Sequence, residues 1–174
     1  MEELTLHERT LPLCLEFFRG FTQDPVLFAD PAAYAPYTFD AAQAEAFFLR
    51  RQSRPDRQGF YILLDGCVIG DVGFKRIDRA RRTCELEICM QNDDVKNRGY
   101  GTRAARLALR YAFGPLGMQT VLADTTLRNT RSQHVLEKVG FRPTGQDAAF
   151  RYYRLAKEDF SDDPSETGAD RRDP

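Results

Sequence analysis

Between Thr83 and Phe113 the apolar period changes from two to 3.6, with a glycine pair at the joint. The run TCELEICM alternates, sending Cys84, Leu86, Ile88 and Met90 to one side and Glu85, Glu87 and Cys89 to the other, as a strand does. Ala104, Leu107, Ala108, Tyr111 and Ala112 then recur at i, i+3, i+4, i+7 and i+8, the stripe of an amphipathic helix. Between them lies Lys96-Asn97-Arg98-Gly99-Tyr100-Gly101-Thr102. A strand that feeds a long helix through a glycine turn points to a mixed α/β chain with helices packed on the faces of a sheet.

The flanking segments agree with that class. FYILLDGCVIGDVGF holds two strand-like runs around Asp65-Gly66, a dipeptide that favours a type I′ hairpin. After the helix, Gly114 and Pro115 act as a stop, GMQTVLADTTL reads as a strand, and NTRSQHVLEKVG reads as a helix closed by Gly140 at C′. FRYYRL is the last strand, with one of Tyr152 and Tyr153 facing inward. Upstream, Leu11, Leu15 and Phe18 fall at helical spacing before Gly20. Pro25, Pro31 and Pro36 make the next stretch an irregular crossing loop, which packs into the core or walls a pocket. Asp40 caps a short helix carrying Phe47 and Phe48. From Ser161 the residues SDDPSETGADRRDP carry no apolar pattern, so one domain over 1–160 and a disordered tail over 161–174 are expected.

Charge and cysteine usage narrow the function. The 174 residues carry 25 basic and 26 acidic side chains, which argues against a nucleic-acid binder because such domains show a basic excess. No apolar run approaches the roughly 18 residues that span a bilayer, and MEELTLHERT lacks a basic, apolar leader, so a cytoplasmic protein with no membrane partner is expected. Cys14, Cys67, Cys84 and Cys89 form no CxxC pair and are not grouped with His7 or His134, so reduced core thiols are expected and no metal site. His134 reads as a surface or packing residue, and Arg79-Ala80-Arg81-Arg82 as a solvated turn.

The glycine loop is the first candidate for chemistry. The free N–H groups of a first helical turn, the positive end of its dipole and side-chain-free glycines can hold a phosphate or diphosphate, with Lys96 and Arg98 adding charge. A tight βα turn with solvated basic residues is the alternative. Gly99-Tyr100-Gly101 lacks the third glycine of a dinucleotide fold, and no Gly-Lys-Ser/Thr follows as in a P-loop. Glu85 and Glu87, on one face of the strand entering this loop, are the second candidate. Carboxylates so placed can bind a cation and take up a proton; Glu85 is the favoured one, and Asp124 on the next strand is a lesser candidate. A backbone N–H near Met90 can stabilise an oxyanion.

The stretches ELEICMQNDDVKNRGYGTRAARLALRYAF and NTRSQHVLEKVGF closely resemble the Gcn5-related N-acetyltransferase (GNAT) superfamily. Within it they resemble the branch of ribosomal-protein N-terminal and spermidine acetyltransferases. The resemblance covers about Phe60 to Leu155 and implies a mostly antiparallel sheet splayed in its middle, with helices on both faces. It makes 60–155 an acetyl-CoA-binding core and the residues up to about 59 the acceptor side. It implies that Lys96 to Gly101 bind the diphosphate of acetyl-CoA, with Lys96 where Gln or Arg is usual. By the same resemblance Thr102 opens the bound helix, the backbone at Met90 and Gln91 pairs with the pantetheine arm, and Asn129 contacts that arm. Many members carry a tyrosine where Leu136 stands, so Ser132 is the residue to hydrogen-bond the departing thiolate. The activity implied is direct acetyl transfer, in a ternary complex, to a primary amine of a small molecule or protein N-terminus, by a monomer or homodimer. A non-catalytic acyl-CoA sensor is the alternative from another class.

Overall fold

Asp65 and Gly66 both adopt left-handed backbone, φ 47° and 84°, as a type I′ turn requires. They join β2 (Gln58–Leu64) to β3 (Cys67–Asp78), and the exposed turn of Arg79–Arg82 returns the chain as β4 (Thr83–Met90). The computed structural model describes residues 2–162. Its remaining elements are β1 (Leu4–Glu8), α1 (Leu11–Gly20), α2 (Ala41–Gln52), α3 (Tyr100–Phe113), β5 (Thr120–Thr126), α4 (Thr130–Lys138), β6 (Arg142–Gln146) and β7 (Phe150–Ala156), with short 3₁₀ turns between them.

The strands form one seven-stranded sheet in the order β1-β2-β3-β4-β5-β7-β6. All neighbours are antiparallel except β4 and β5, which run parallel and pair only at Thr83–Thr120, Cys84–Val121 and Glu85–Leu122. Beyond Glu85 the two strands part. The splayed, mostly antiparallel sheet expected from the sequence is therefore present.

The helices cover both faces. On one, Ala104, Ala105, Ala108, Leu109 and Ala112 of α3 sit on Val72, Phe74, Leu86 and Val121, and α4 adds Leu136. The run of alanines lets the α3 backbone approach the sheet closely. On the other face, Cys14, Phe17 and Phe48 of α1 and α2 pack on Tyr61, Leu63 and Val68. Each such fully buried apolar side chain contributes roughly 1.5–3 kcal/mol.

Asp40 caps α2 as expected, accepting from Ala42 N–H at 2.9 Å and Gln43 N–H at 3.1 Å, and Gly140 takes φ 105° after α4. Tyr153 is the inward tyrosine and Tyr152 the exposed one. Helix α1 spans Leu11–Gly20 as the spacing predicts, burying Cys14 and Phe17 with Leu11 and Phe18 packed beside them. Other expectations are corrected. Cys67 is exposed beside the hairpin turn, so the core holds Cys14 and Cys84 while Cys89 is half-buried. Strands β1 and β6 were unforeseen, although Leu4 and Leu6 do alternate. Ser161 and Asp162, assigned to the tail, bond Arg106 and Arg110 of α3; the rest of that segment, 163–174, lies outside the described residues.

Candidate functional site

The parting of β4 from β5 opens a cavity of about 630 Å³ whose walls are the end of β4, the glycine loop and the N-termini of α3 and α4. Asn97 and Gly99 take positive φ, 59° and 81°, and turn the chain sharply into α3. No side chain caps that helix, and its first intrahelical bond runs from Arg103 N–H to Gly99 O, leaving the N–H groups of Tyr100, Gly101 and Thr102 without helical partners. A Cβ on Gly101 would lie 3.8 Å from Met90 Sδ and 3.8 Å from Val135 Cγ2, both on the cavity wall, so the glycine keeps the cavity floor clear. Backbone donors above an open floor suit the diphosphate and pantetheine arm of a coenzyme A thioester.

Met90 points its backbone into this opening. Gln91 N–H bonds Ile69 O, on the β3 side, so strand alternation turns the Met90 N–H toward the edge that β5 leaves open. Gln91 itself is a correction to the expected pantetheine contacts. Its C=O accepts from Thr22 N–H at 2.9 Å and its side chain donates to Glu16 O and Phe17 O at 3.1 and 2.9 Å. Both backbone groups are used, and the residue fastens α1 to β4.

The rest of the loop divides. Asn97, Gly99, Gly101 and Thr102 line the cavity; Arg98 is exposed beside it, and the Tyr100 side chain is buried with its hydroxyl donating to Glu2 at 2.9 Å, which leaves its backbone N–H as its only contribution. Lys96 lines the cavity but is already paired, 2.8 Å from Asp24 and 2.8 Å from Asp93. Arg131, at the start of α4, also reaches Asp24 at 2.6 Å. The segment around Pro25–Leu27 is thereby strapped over the cavity, helped by Arg128 donating to Pro25 O at 3.1 Å. Nothing in the local sequence around Asp24 signalled this.

Asn129 and Ser132 line this cavity and also a second one of about 170 Å³. Asn129 caps α4, its Oδ1 accepting from Ser132 N–H at 3.1 Å. The second cavity opens on the far side of the splay and is also lined by Lys75, Glu87 and Asp124. His134 is exposed on the rim of the first cavity, and Leu136 is buried under the second.

Glu85 and Glu87 share a face, as alternation requires, but meet different partners. Glu85 is buried and ion-paired to Lys75 at 2.5 Å and Arg76 at 2.8 Å. Burial pushes its carboxyl up, while a hydrogen bond with Asp124 and the two cations push it down, leaving it below the ordinary range. Asp124 takes the opposite shift: burial, the shared hydrogen bond and the Glu85 charge raise it to about 6 against the pull of Lys75. Glu87 is tied to Arg51 and Arg57, the latter at 3.1 Å, with Arg9 at 3.8 Å. Asp124 is thus raised toward neutrality while Glu85 beside it is held down. Cys89 lines the first cavity, and burial pushes its thiol to about 12, which removes it as a nucleophile at neutral pH.

The acetyltransferase (GNAT) domain family matches residues 14–142. This chain belongs to the GNAT family. It is 29% identical over 87 residues to the spermidine N(1)-acetyltransferase of Escherichia coli K12, covering 50% of this chain and 46% of the relative. An uncharacterized N-acetyltransferase of Bacillus subtilis, YnaD, is 27% identical over 109 residues, 62% of each chain. The chain thus spans about half to three-fifths of the length of these curated relatives. A dodecameric spermidine N-acetyltransferase from Vibrio cholerae superposes with a TM-score of 0.70 at 15% identity, covering 89% of this chain and 94% of that one. A chimera of that enzyme superposes with a TM-score of 0.71 at 16% identity, over 89% and 96%. These neighbours share the GNAT fold. Among the described residues no helix is long and apolar enough to cross a membrane.

Proposed function

We propose that the protein transfers an acetyl group from acetyl-CoA to a primary amine by direct attack, without an acyl-enzyme. The observation that carries this reading is that Asn129 and Ser132 border both the glycine-loop cavity and the carboxylate-lined cavity across the splay. A donor entering from the first cavity and an amine entering from the second meet between β4 and β5. The raised thiol of Cys89 supports direct attack.

In this reading the backbone N–H groups at the start of α3 hold the diphosphate, and the Met90 N–H faces the thioester oxygen as its charge grows. The amine binds beside Asp124 and Glu87. Its nitrogen forms the new C–N bond as the C–S bond breaks, its proton passes to Asp124, and Ser132 hydrogen-bonds the thiolate that leaves. Glu85 acts through Asp124: held ionised by Lys75 and Arg76, it raises the proton affinity of its neighbour. Glu87 forms a wall of the amine cavity, its charge already met by arginines.

Calorimetric titration with acetyl-CoA tests the donor half, with CoA, ATP and NADH as comparisons and Gly99→Pro as the loop variant. Binding of CoA species alone, lost in the variant, is expected. No binding by the folded protein overturns the reading. An amine panel scored by thiol release then tests the acceptor half.

A further inference from the structure

A third cavity, of about 270 Å³, lies on the α1/α2 face and is lined by Arg9, Arg51, Arg57, Phe47, Gln52 and Gln58, with the exposed carboxylate of Glu8 at its margin. Behind it three guanidinium groups meet two interior carboxylates, Asp71 and Glu87. Arg9 is consumed by Asp71, to which it donates from Nε at 2.8 Å and Nη2 at 2.6 Å. Glu87 is shared between Arg51 and Arg57, and Asp71 lies 3.8 Å from Arg51. One positive charge therefore has no counterpart in the interior of the cluster.

Arg51 contacts Glu87 and lies 3.8 Å from Asp71, but it shares each carboxylate with another arginine. Its side chain is 18% exposed, and its Nε is buried with no hydrogen-bond acceptor. Its guanidinium carbon lies over the Phe47 ring, 5.1 Å from the centroid. Burial and repulsion from Arg9 and Arg57 bring it down to about 10, against the pull of Asp71. Guanidinium groups that line a cavity and share their carboxylates offer remaining donors to an anionic acceptor there.

We propose that this cavity binds an oxyanion, a carboxylate or phosphate group, through Arg51 and Arg57. Two sources carry that chemistry: a separate small anion, or an anionic group on the acceptor itself. Register places Gly59 beside Gly73 and Gly73 beside Glu87, with Asp124 one strand further on. Arg51 meets Glu87, and Glu87 lines the amine cavity together with Asp124, so a single acceptor can reach both Asp124 and Arg51. The second source rests on the acetyltransferase reading; the first does not.

The test is a thermal-shift and calorimetric titration with inorganic phosphate at constant ionic strength, chloride being the replaced ion. A saturable response is expected in the wild type, weakened at least tenfold in Arg51→Lys and in Arg57→Lys, each with unchanged circular dichroism. Gly101→Val, which fills the diphosphate loop, should keep the response, so loss of donor binding leaves this result standing. With turnover established, phosphate that competes against a long ω-amino carboxylate places the anion on the acceptor. Phosphate that changes the rate without raising the acceptor KM makes it a separate ligand. No saturable response beyond chloride, or one unchanged in both arginine variants, overturns the site.

Discussion

Asp124 and Glu85 are two carboxylates driven apart by position: the residue that contacts Lys75 and Arg76 most closely stays ionised, and its neighbour absorbs the repulsion. Turnover is expected to rise through a lower pH limb near 6, and Asp124→Asn should remove that limb and lower kcat by about 10²–10⁴-fold, the range of a lost general base. The sign for stability is opposite to that of an ordinary ion-paired carboxylate. A carboxyl raised in the fold favours the protonated state, so its contribution is present below the ordinary value of 3.8 and lost as pH rises through about 6. Thermal unfolding of Asp124→Asn against wild type should therefore improve from pH 4 to pH 8; a constant difference would refute the shift. Gly101→Val should lower CoA affinity at least tenfold by calorimetry, since its side chain would reach the Met90 and Val135 side chains and fill the cavity floor. The shared face of Glu85 and Glu87 was legible from alternation, whereas the cap at Asn129 emerged only in the structure. The arginines that claim Glu87 were not, because they come from the residue after β1, from α2 and from the turn before β2.

At the scale of elements, the strap over the glycine-loop cavity is tied down through Asp24, with Arg128 and Thr126 bonding its backbone carbonyls. Lys96 and Arg131 oppose burial and hold Asp24 below its usual range, and Lys96 is raised in turn. Asp24→Asn should speed amide hydrogen exchange at 26–28 and at Lys96 by about tenfold, the equivalent of about 1.4 kcal/mol, a size expected for a charged hydrogen bond. Amides inside α3 should not change; faster exchange there would mean that the strap supports the helix rather than the opening. The Pro-broken segment was readable as a crossing loop, since Pro25 and Pro31 forbid a long helix, but its destination was not. Strand β6 escaped because all five of its residues are exposed, so burial imposed no alternation on them. Strand β1 is five residues long and too short for its two leucines to stand out.

Across the whole molecule, packing under α3 sets the position of the loop that α3 begins. Ala108 is fully buried, and Ala108→Leu should overpack that contact by about 1–3 kcal/mol. A melting temperature lower by roughly 2–10 °C is expected, together with weaker CoA binding as the helix start moves away from Met90. Ala42→Leu, on the exposed side of α2, should alter neither. The amino-acid order by itself determined the features closed by near neighbours: the Asp65-Gly66 hairpin, the glycine joint into α3, the Asp40 cap, and the side of each strand on which a residue falls. These depend on backbone preferences and periodicity, which act over a few residues. Only the tertiary structure decided that Gln91 clamps α1, that Asp24 straps the glycine-loop cavity through Lys96, 72 residues away, and that Asp124 is raised toward neutrality while Glu85 is held below the ordinary carboxylate range. Those outcomes depend on burial and on charges brought together from distant parts of the chain, and folding alone supplies both.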